Sequence, residues 1–172
     1  SVQAGIDEKH AEGWFFPDTY LFNKGSSDFD VLRRAYKAMQ PKIADAWAKR
    51  ENTTPLKSPY ELLILASIIE KETGLATDRP QVAAVFTNRL RRNMLMQSDP
   101  TVIYGLGDKF DGNLRKVDLL TDTPWNTYTR VGLPPTPIAV PGVASLLAAA
   151  KPPPSDMLYF VARGDGSSEF SA

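Results

Sequence analysis

Between Ser58 and Gly74 the chain reads SPYELLILASIIEKETG, and every residue from Leu62 to Ile69 except Ser67 is apolar. A helix that is apolar on all sides cannot lie on a surface, so the other elements must close around it. Its ends are marked as well. Ser58, Pro59 and Glu61 supply an N-cap, a first-turn proline and a capping-box partner, which assigns Glu61 to the helix end and not to chemistry. Gly74 is the matching stop. The segment therefore predicts a central buried helix with the remaining chain packed around it.

The same run ends in Glu70, Lys71 and Glu72. Burial disfavours the charged form of a carboxyl group, so an acid at the edge of a buried helix can keep its proton near neutral pH. A general acid needs that property. A solvated helix end is the other reading, and the segment alone does not choose between them. At about 100° per residue, Glu70 continues the side of the helix that carries Leu63, Ala66 and Ser67, whereas Glu72 lies about 200° further round. The two carboxylates cannot share one site.

The flanking segments supply partners for this helix. From about Phe29 to Arg50, capped by Asp28 or Ser27, Leu32, Ala35, Tyr36, Met39, Ile43, Ala46 and Trp47 recur at helical spacing, so Trp47 is a core residue. Asp78 with Pro80 and Gln81 opens a helix that runs to about Asn93. Its basic end, Arg89, Arg91 and Arg92, suits the negative pole of the helix dipole or an anionic partner. Asp99 and Pro100 begin a short helix, which gives Asp99 a structural task and leaves Gln97, in the loop before it, as the better site candidate. In the loop DTPWNTYTRVGLPP, the amide and aromatic groups of Trp125, Asn126 and Tyr128 suit sugar recognition, or else pin the loop to the core. A helix at Val143–Ala150, a strand at Met157–Ala162 and a turn with return strand in GDGSSEF complete the chain, which starts extended through GWFFPDTYLF. The predicted class is α+β, with a central buried helix, surrounding helices and a small, mainly antiparallel sheet in one domain over residues 1–172.

Composition removes several functions. Twenty basic residues balance twenty acidic ones, so no net field favours nucleic acid or an anionic membrane. No apolar run approaches the roughly 20 residues of a membrane span, and SVQAGIDEKHAEG lacks the regions of a signal peptide. Without cysteine there is no thiolate chemistry, a composition that fits an oxidising compartment. The lone histidine, His10, rules out a zinc site built from several histidines, and its place near the amino terminus argues against a histidine-based triad.

Six blocks then occur in order: EGWFFPDTY at 12–20, LASIIEKETG at 65–74, RPQVAAVFTNRL at 79–90, QSDPTVIYG at 97–105, NTYTRVGLPPTPIAVPG at 126–142 and LYFVARGDG at 158–166. Together they resemble the catalytic region of the YceG-like family, the endolytic murein transglycosylases of the MltG type. The resemblance implies cleavage of the β-1,4 bond between N-acetylmuramic acid and N-acetylglucosamine in nascent peptidoglycan, leaving a 1,6-anhydromuramic end. It implies Glu70 as the catalytic residue, acting first as acid and then as base. It also implies Gln97, Tyr104, Asn126 and Tyr128 as cleft residues binding N-acetyl and hydroxyl groups, with Glu72 as a neighbour. One carboxylate suffices in such a reaction because the sugar's own C6 hydroxyl attacks, where ordinary glycosidases need a second group. No metal or organic cofactor is implied. The implied setting is the cell-wall side of the cytoplasmic membrane, in the periplasm where there is one. An upstream anchor and most or all of a LysM-like module would precede these residues, and peptidoglycan synthases of the penicillin-binding type are the implied partners.

Some positions depart from the family pattern. Trp125 stands where tyrosine is usual and Thr136 where glycine is common, SSEF lacks a histidine before its phenylalanine, and the closing segment with its own histidine is not among these residues. Two other readings stay open. A lysozyme-like hydrolase would need a second carboxylate facing Glu70, for which Asp99 and Asp18 are the candidates, and a non-catalytic glycan-binding scaffold would use Glu70 only as a helix anchor.

Overall fold

The structure, a computed structural model, describes residues 28–172. His10, Asp18, Ser27 and the stretch predicted extended at 13–22 lie outside the described residues. Helix α2 (Pro59–Glu72) is the centre. All of Leu62 to Ile69 is buried, and α1 (Asp28–Ala48), α3 (Arg79–Arg91), α4 (Asp99–Leu106) and α6 (Val143–Ala150) each touch it. Truncating a core residue such as Ile68 to alanine is expected to cost about 2–5 kcal/mol, since the enclosing helices cannot all collapse onto the void.

The start of α2 follows the sequence closely. Ser58 Oγ accepts the Glu61 N–H at 3.2 Å, and the Glu61 carboxylate accepts the N–H of Lys57, one residue before the cap. The end differs in cause. Thr73 is the C-cap, in extended backbone, and Gly74 is there for close approach: a Cβ at Gly74 would sit 2.8 Å from the carbonyl oxygen of Gly166 in the hairpin turn.

Along α1, Met39, Ile43 and Ala46 are buried, while Trp47 is half-buried beneath the Arg50 guanidinium, 4.1 Å from the ring centroid. Pro41 lies inside this helix, on its exposed side, where water can reach the carbonyl it leaves unpaired. A 3-10 turn, Ala76–Asp78, leads into α3. Asp78 does not cap that helix, because its carboxylate accepts the Ser168 N–H at 2.8 Å from the hairpin. Helix α5 (Lys116–Leu120) was not expected, being too short to show a period. Helix α6 matches its predicted range and runs back from the C-terminal end of α2, so that its Ala150 carbonyl accepts the Glu51 N–H just after α1.

The sheet is an antiparallel pair, β1 (Tyr159–Ala162) with β2 (Ser168–Ser171), and its first strand starts two residues later than the sequence pattern suggested. Phe160 faces Phe170 across the ladder and meets Phe86 of α3 edge-on at 5.6 Å, which joins the hairpin to the core. Asn88 adds two bonds at 2.9 Å to the carbonyls of Ser155 and Met157. The fold is therefore α+β with a small antiparallel sheet. Among the described residues no helix is long and apolar enough to cross a membrane.

Candidate active site

Glu70 and Glu72 leave α2 in different directions, as their spacing requires. Glu70 faces the N-terminus of α6, where its Oε1 accepts the Gly142 N–H at 2.6 Å and the Ser145 hydroxyl at 3.3 Å. A carboxylate in that position caps free N–H groups and faces the positive pole of the helix. Glu72 faces a cavity of about 180 Å³ together with Arg89, Gln97, Asp99, Tyr128 and Phe160. These groups come from the end of α2, α3, the turn into α4, the loop before Arg130, and β1.

Burial pushes the Glu72 carboxyl group up to about 7, and the nearby charge of Asp99 adds to the rise. The hydroxyl of Ser98, which donates to Glu72 Oε1 at 2.8 Å, and the Arg89 guanidinium act against it. The acid is thus half protonated near neutrality, a state the sequence suggested for Glu70 and not for Glu72.

Arg89 does not extend toward the dipole pole at the end of α3. It is 6% exposed, donates from Nε to the Leu158 carbonyl at 2.7 Å and from Nη1 to the Met96 carbonyl, and lies 5.5 Å from the Tyr159 ring centroid. Burial lowers its proton affinity, opposed by Tyr159, Glu72 and Tyr128. Its two bonds tie the hairpin and the segment before Gln97 to one helix. Arg91, two residues on, forms an ion pair with Glu51 instead.

Gln97 takes a left-handed backbone, φ 51°, which is uncommon outside glycine, and is held there by its N–H bond to the Thr127 carbonyl at 3.2 Å. Its side chain is exposed at the cavity. Tyr128 donates its hydroxyl to Asp99, and burial, followed by that bond, pushes the phenol well above its ordinary range. Asp99 is therefore the first residue of α4 with a task in the cavity, and it does not cap the helix.

Of the residues singled out in the sequence, Glu72, Gln97 and Tyr128 converge, while Glu70, Tyr104 and Asn126 do not line this cavity. Asn126 is fully buried and serves its own loop. Its amide donates to the carbonyls of Leu119 at 3.1 Å and Thr121 at 2.8 Å, and its Oδ1 accepts the Tyr128 N–H at 2.8 Å. Tyr104 packs against Trp125 with centroids 5.7 Å apart. Sequence reasoning missed Ser98 and Phe160, and named Arg89 only for the helix dipole or an anionic partner. The presence of Arg89 inside the block RPQVAAVFTNRL, and of Ser98 beside Gln97, was the available signal.

A larger groove of about 470 Å³ lies at the opposite end of α2, beside Tyr60, Leu90 and Pro134. It gathers only Lys57 and Glu61 as charged groups, and the Glu61 carboxylate is occupied by a backbone N–H. Among the described residues no group of acidic, histidine or cysteine side chains is placed to hold a metal.

The sequence pattern of the YceG-like family matches residues 2–172. An endolytic murein transglycosylase of Bacillus subtilis (strain 168) is 39% identical over 160 residues, which cover 93% of this chain and 44% of that protein. One from Streptococcus pneumoniae (strain D39) is 34% identical over 158 residues, covering 88% of this chain and 28% of that protein. A crystal structure of a yceG-like protein from Listeria monocytogenes superposes with a TM-score of 0.78 at 39% identity, covering 92% of this chain and 51% of that one. The chain spans less than half the length of these two transglycosylases.

Proposed function

The chain belongs to the YceG-like family, and from that premise we propose that it cleaves peptidoglycan glycan strands internally, with Glu72 as the acid and base of a lytic transglycosylation. The observation that carries this reading is the state of Glu72: a carboxyl group held near pKa 7 by burial, in a cavity that it shares with Gln97, Arg89 and the Tyr128–Asp99 pair. The resemblance of the block EKET had pointed to Glu70, whose carboxylate is engaged at the start of α6. Glu72 takes that role in this proposal.

Protonated Glu72 donates its proton to the glycosidic oxygen as the bond from that oxygen to C1 of N-acetylmuramic acid breaks, the bonding pair leaving with the oxygen. The C6 hydroxyl oxygen of the same sugar closes on C1, and its proton passes to the Glu72 carboxylate, which restores the acid. No water enters, and the product is the 1,6-anhydro sugar. Gln97 and the Tyr128–Asp99 pair orient hydroxyl and N-acetyl groups in this scheme. The same reading makes residues 1–172 one catalytic unit acting on the cell wall. It assigns attachment to the cytoplasmic membrane, a LysM-like module and pairing with peptidoglycan synthases to the longer protein.

A hydrolase reading has one observation in its favour, since Asp99 shares the cavity with Glu72 and a second carboxylate can activate water. Product analysis separates the two. Digestion of peptidoglycan strands should release anhydromuramic ends and Glu72→Gln should abolish the release; reducing ends would instead assign Asp99 the role of base.

A further inference from the structure

Ser98 occupies the N-cap position of α4 with extended backbone, φ −99° and ψ 116°, where a serine ordinarily turns its hydroxyl onto the free N–H groups of the helix. It makes no such bond. Its Oγ instead lies 2.8 Å from Oε1 of Glu72, and Ser98 itself is fully buried. The backbone that presents it is braced from both sides. The Ser98 N–H donates to Thr127 Oγ1 at 2.9 Å, its carbonyl accepts the Thr101 hydroxyl at 2.7 Å, and the two threonine hydroxyls are 2.8 Å apart. All three side chains are shut off from solvent.

We propose that Ser98 is a positioning residue for the proton transfer: by donating to Oε1 it assigns the transferable proton of Glu72 to Oε2. The inference rests on the reading of Glu72 as the acid. A protonated carboxyl group carries its hydrogen on one oxygen and accepts on the other. While Ser98 donates, Oε1 is the accepting oxygen and the hydrogen resides on Oε2. After the proton has left, the same hydroxyl bond stabilises the carboxylate, and Oε2 takes back the proton of the C6 hydroxyl. Both half-steps then use one oxygen and one geometry. The other charged and titratable groups facing Glu72 are Asp99, which favours its protonated form, and Arg89, which favours its ionised form. Tyr128 lines the same cavity, bonded to Asp99. Ser98 is the group that contacts the carboxyl directly, and it does so at the expense of its own cap.

The test compares Ser98→Ala, Ser98→Cys and Ser98→Thr. It uses turnover on peptidoglycan strands and the titration of the Glu72 carboxyl by carbon NMR, assigned by its absence in Glu72→Gln. Alanine removes the donor, cysteine keeps a side chain of similar size with a weak donor, and threonine keeps the hydroxyl. Alanine and cysteine should each lower kcat about ten- to a hundredfold with KM little changed, the worth of a hydrogen bond to a charged group. They should also raise the Glu72 midpoint by about one pH unit or more. Threonine should restore both. An unchanged kcat or an unchanged midpoint in Ser98→Ala overturns the inference. Cleavage retained by Glu72→Gln would overturn the parent reading instead, and the Ser98→Ala midpoint would still decide whether Ser98 holds that carboxyl.

Discussion

The two ends of the short sequence Glu70–Lys71–Glu72 sit in opposite electrostatic surroundings. On one side of α2, Glu70 meets a backbone N–H, a hydroxyl and the positive pole of α6. On the other, Glu72 is half-buried, receives one hydroxyl bond, and has Asp99 nearby. The same functional group, two residues along one helix, binds a helix N-terminus in the first setting and lines a cavity in the second, where we propose that it carries the proton. At Glu72, burial raises the carboxyl's pKa because the Ser98 bond and the Arg89 charge do not fully compensate it.

The strongest way to break this comparison is to exchange the roles by mutation. Glu72→Gln should reduce release of anhydromuramic ends by about three orders of magnitude, within the range typical of a lost general acid, while Glu70→Gln stays within a few-fold of the parent when assayed as folded protein. The reverse pattern, loss in Glu70→Gln and survival of Glu72→Gln, would return the chemistry to Glu70. The pH profile belongs to the same test, because the acid must be protonated: kcat/KM should fall as pH rises through about 7 and lose that limb only if another group is the acid.

The next effect is on stability. The Glu72 carboxyl binds its proton more tightly in the folded chain than in the unfolded one, so its contribution is fully present below the ordinary value of 4.5. It is lost as pH rises through about 7. Each tenfold gain in proton affinity on folding is worth about 1.4 kcal/mol, so the contribution lost across that window is about 3 kcal/mol. Urea unfolding of the parent and of Glu72→Gln at pH 4.5 and pH 8 should show the difference between them changing by this order, with the variant the more stable at pH 8. A pH-independent difference would mean that the carboxyl is not held in its protonated form.

Much of the scaffold of this comparison was legible in the sequence, and its outcome was not. The capped apolar run placed α2 at the centre, and its periodicity placed Glu70 and Glu72 on separate sides. What each side meets depended on residues that the chain brings in from far away. Gly142 and Ser145 reach Glu70 across more than seventy positions, and Ser98 reaches Glu72 across twenty-six. Local pattern carries no record of such partners. Arg89 misled for a related reason, since a basic residue in the last turn of a helix fits the dipole from sequence alone, whereas its partners are carbonyls of the hairpin and of the segment before Gln97. Asn126 had two readings, sugar recognition or pinning its loop, and the second is the one the structure shows. Its amide fits a sugar well, but the carbonyls that use it are five and seven residues away in its own loop.

A smaller effect tests the Glu70 side. Glu70→Ala removes the acceptor of the Gly142 N–H at the start of α6, and it should cost about 1–2 kcal/mol in urea unfolding, the worth of a helix cap in a partly buried position. Gly142 belongs to the same contact, because a Cβ there would stand 3.3 Å from Glu70 Oε1. An undiminished stability in Glu70→Ala would leave the carboxylate without the structural role assigned to it.

The smallest expected effect asks whether the two sides act independently. Trp125 and Thr136, the two loop positions that depart from the family pattern, are bonded to each other: the indole Nε1–H donates to Thr136 Oγ1 at 2.9 Å. Thr136 is itself buried, in the segment that leads through Pro141 to Gly142 beside Glu70, while Trp125 precedes Asn126 and Tyr128 on the Glu72 side. One indole bond therefore links the loop of the cavity to the loop of the cap. A double-mutant cycle with Trp125→Phe and Thr136→Val should give a coupling of about 0.5–1.5 kcal/mol in stability, the net worth of a neutral hydrogen bond. If the two sides are joined only through this bond, Trp125→Phe should lower turnover modestly and leave the Glu72 midpoint in place. A moved midpoint would show that the loop on the Glu70 side also sets the proton affinity of Glu72.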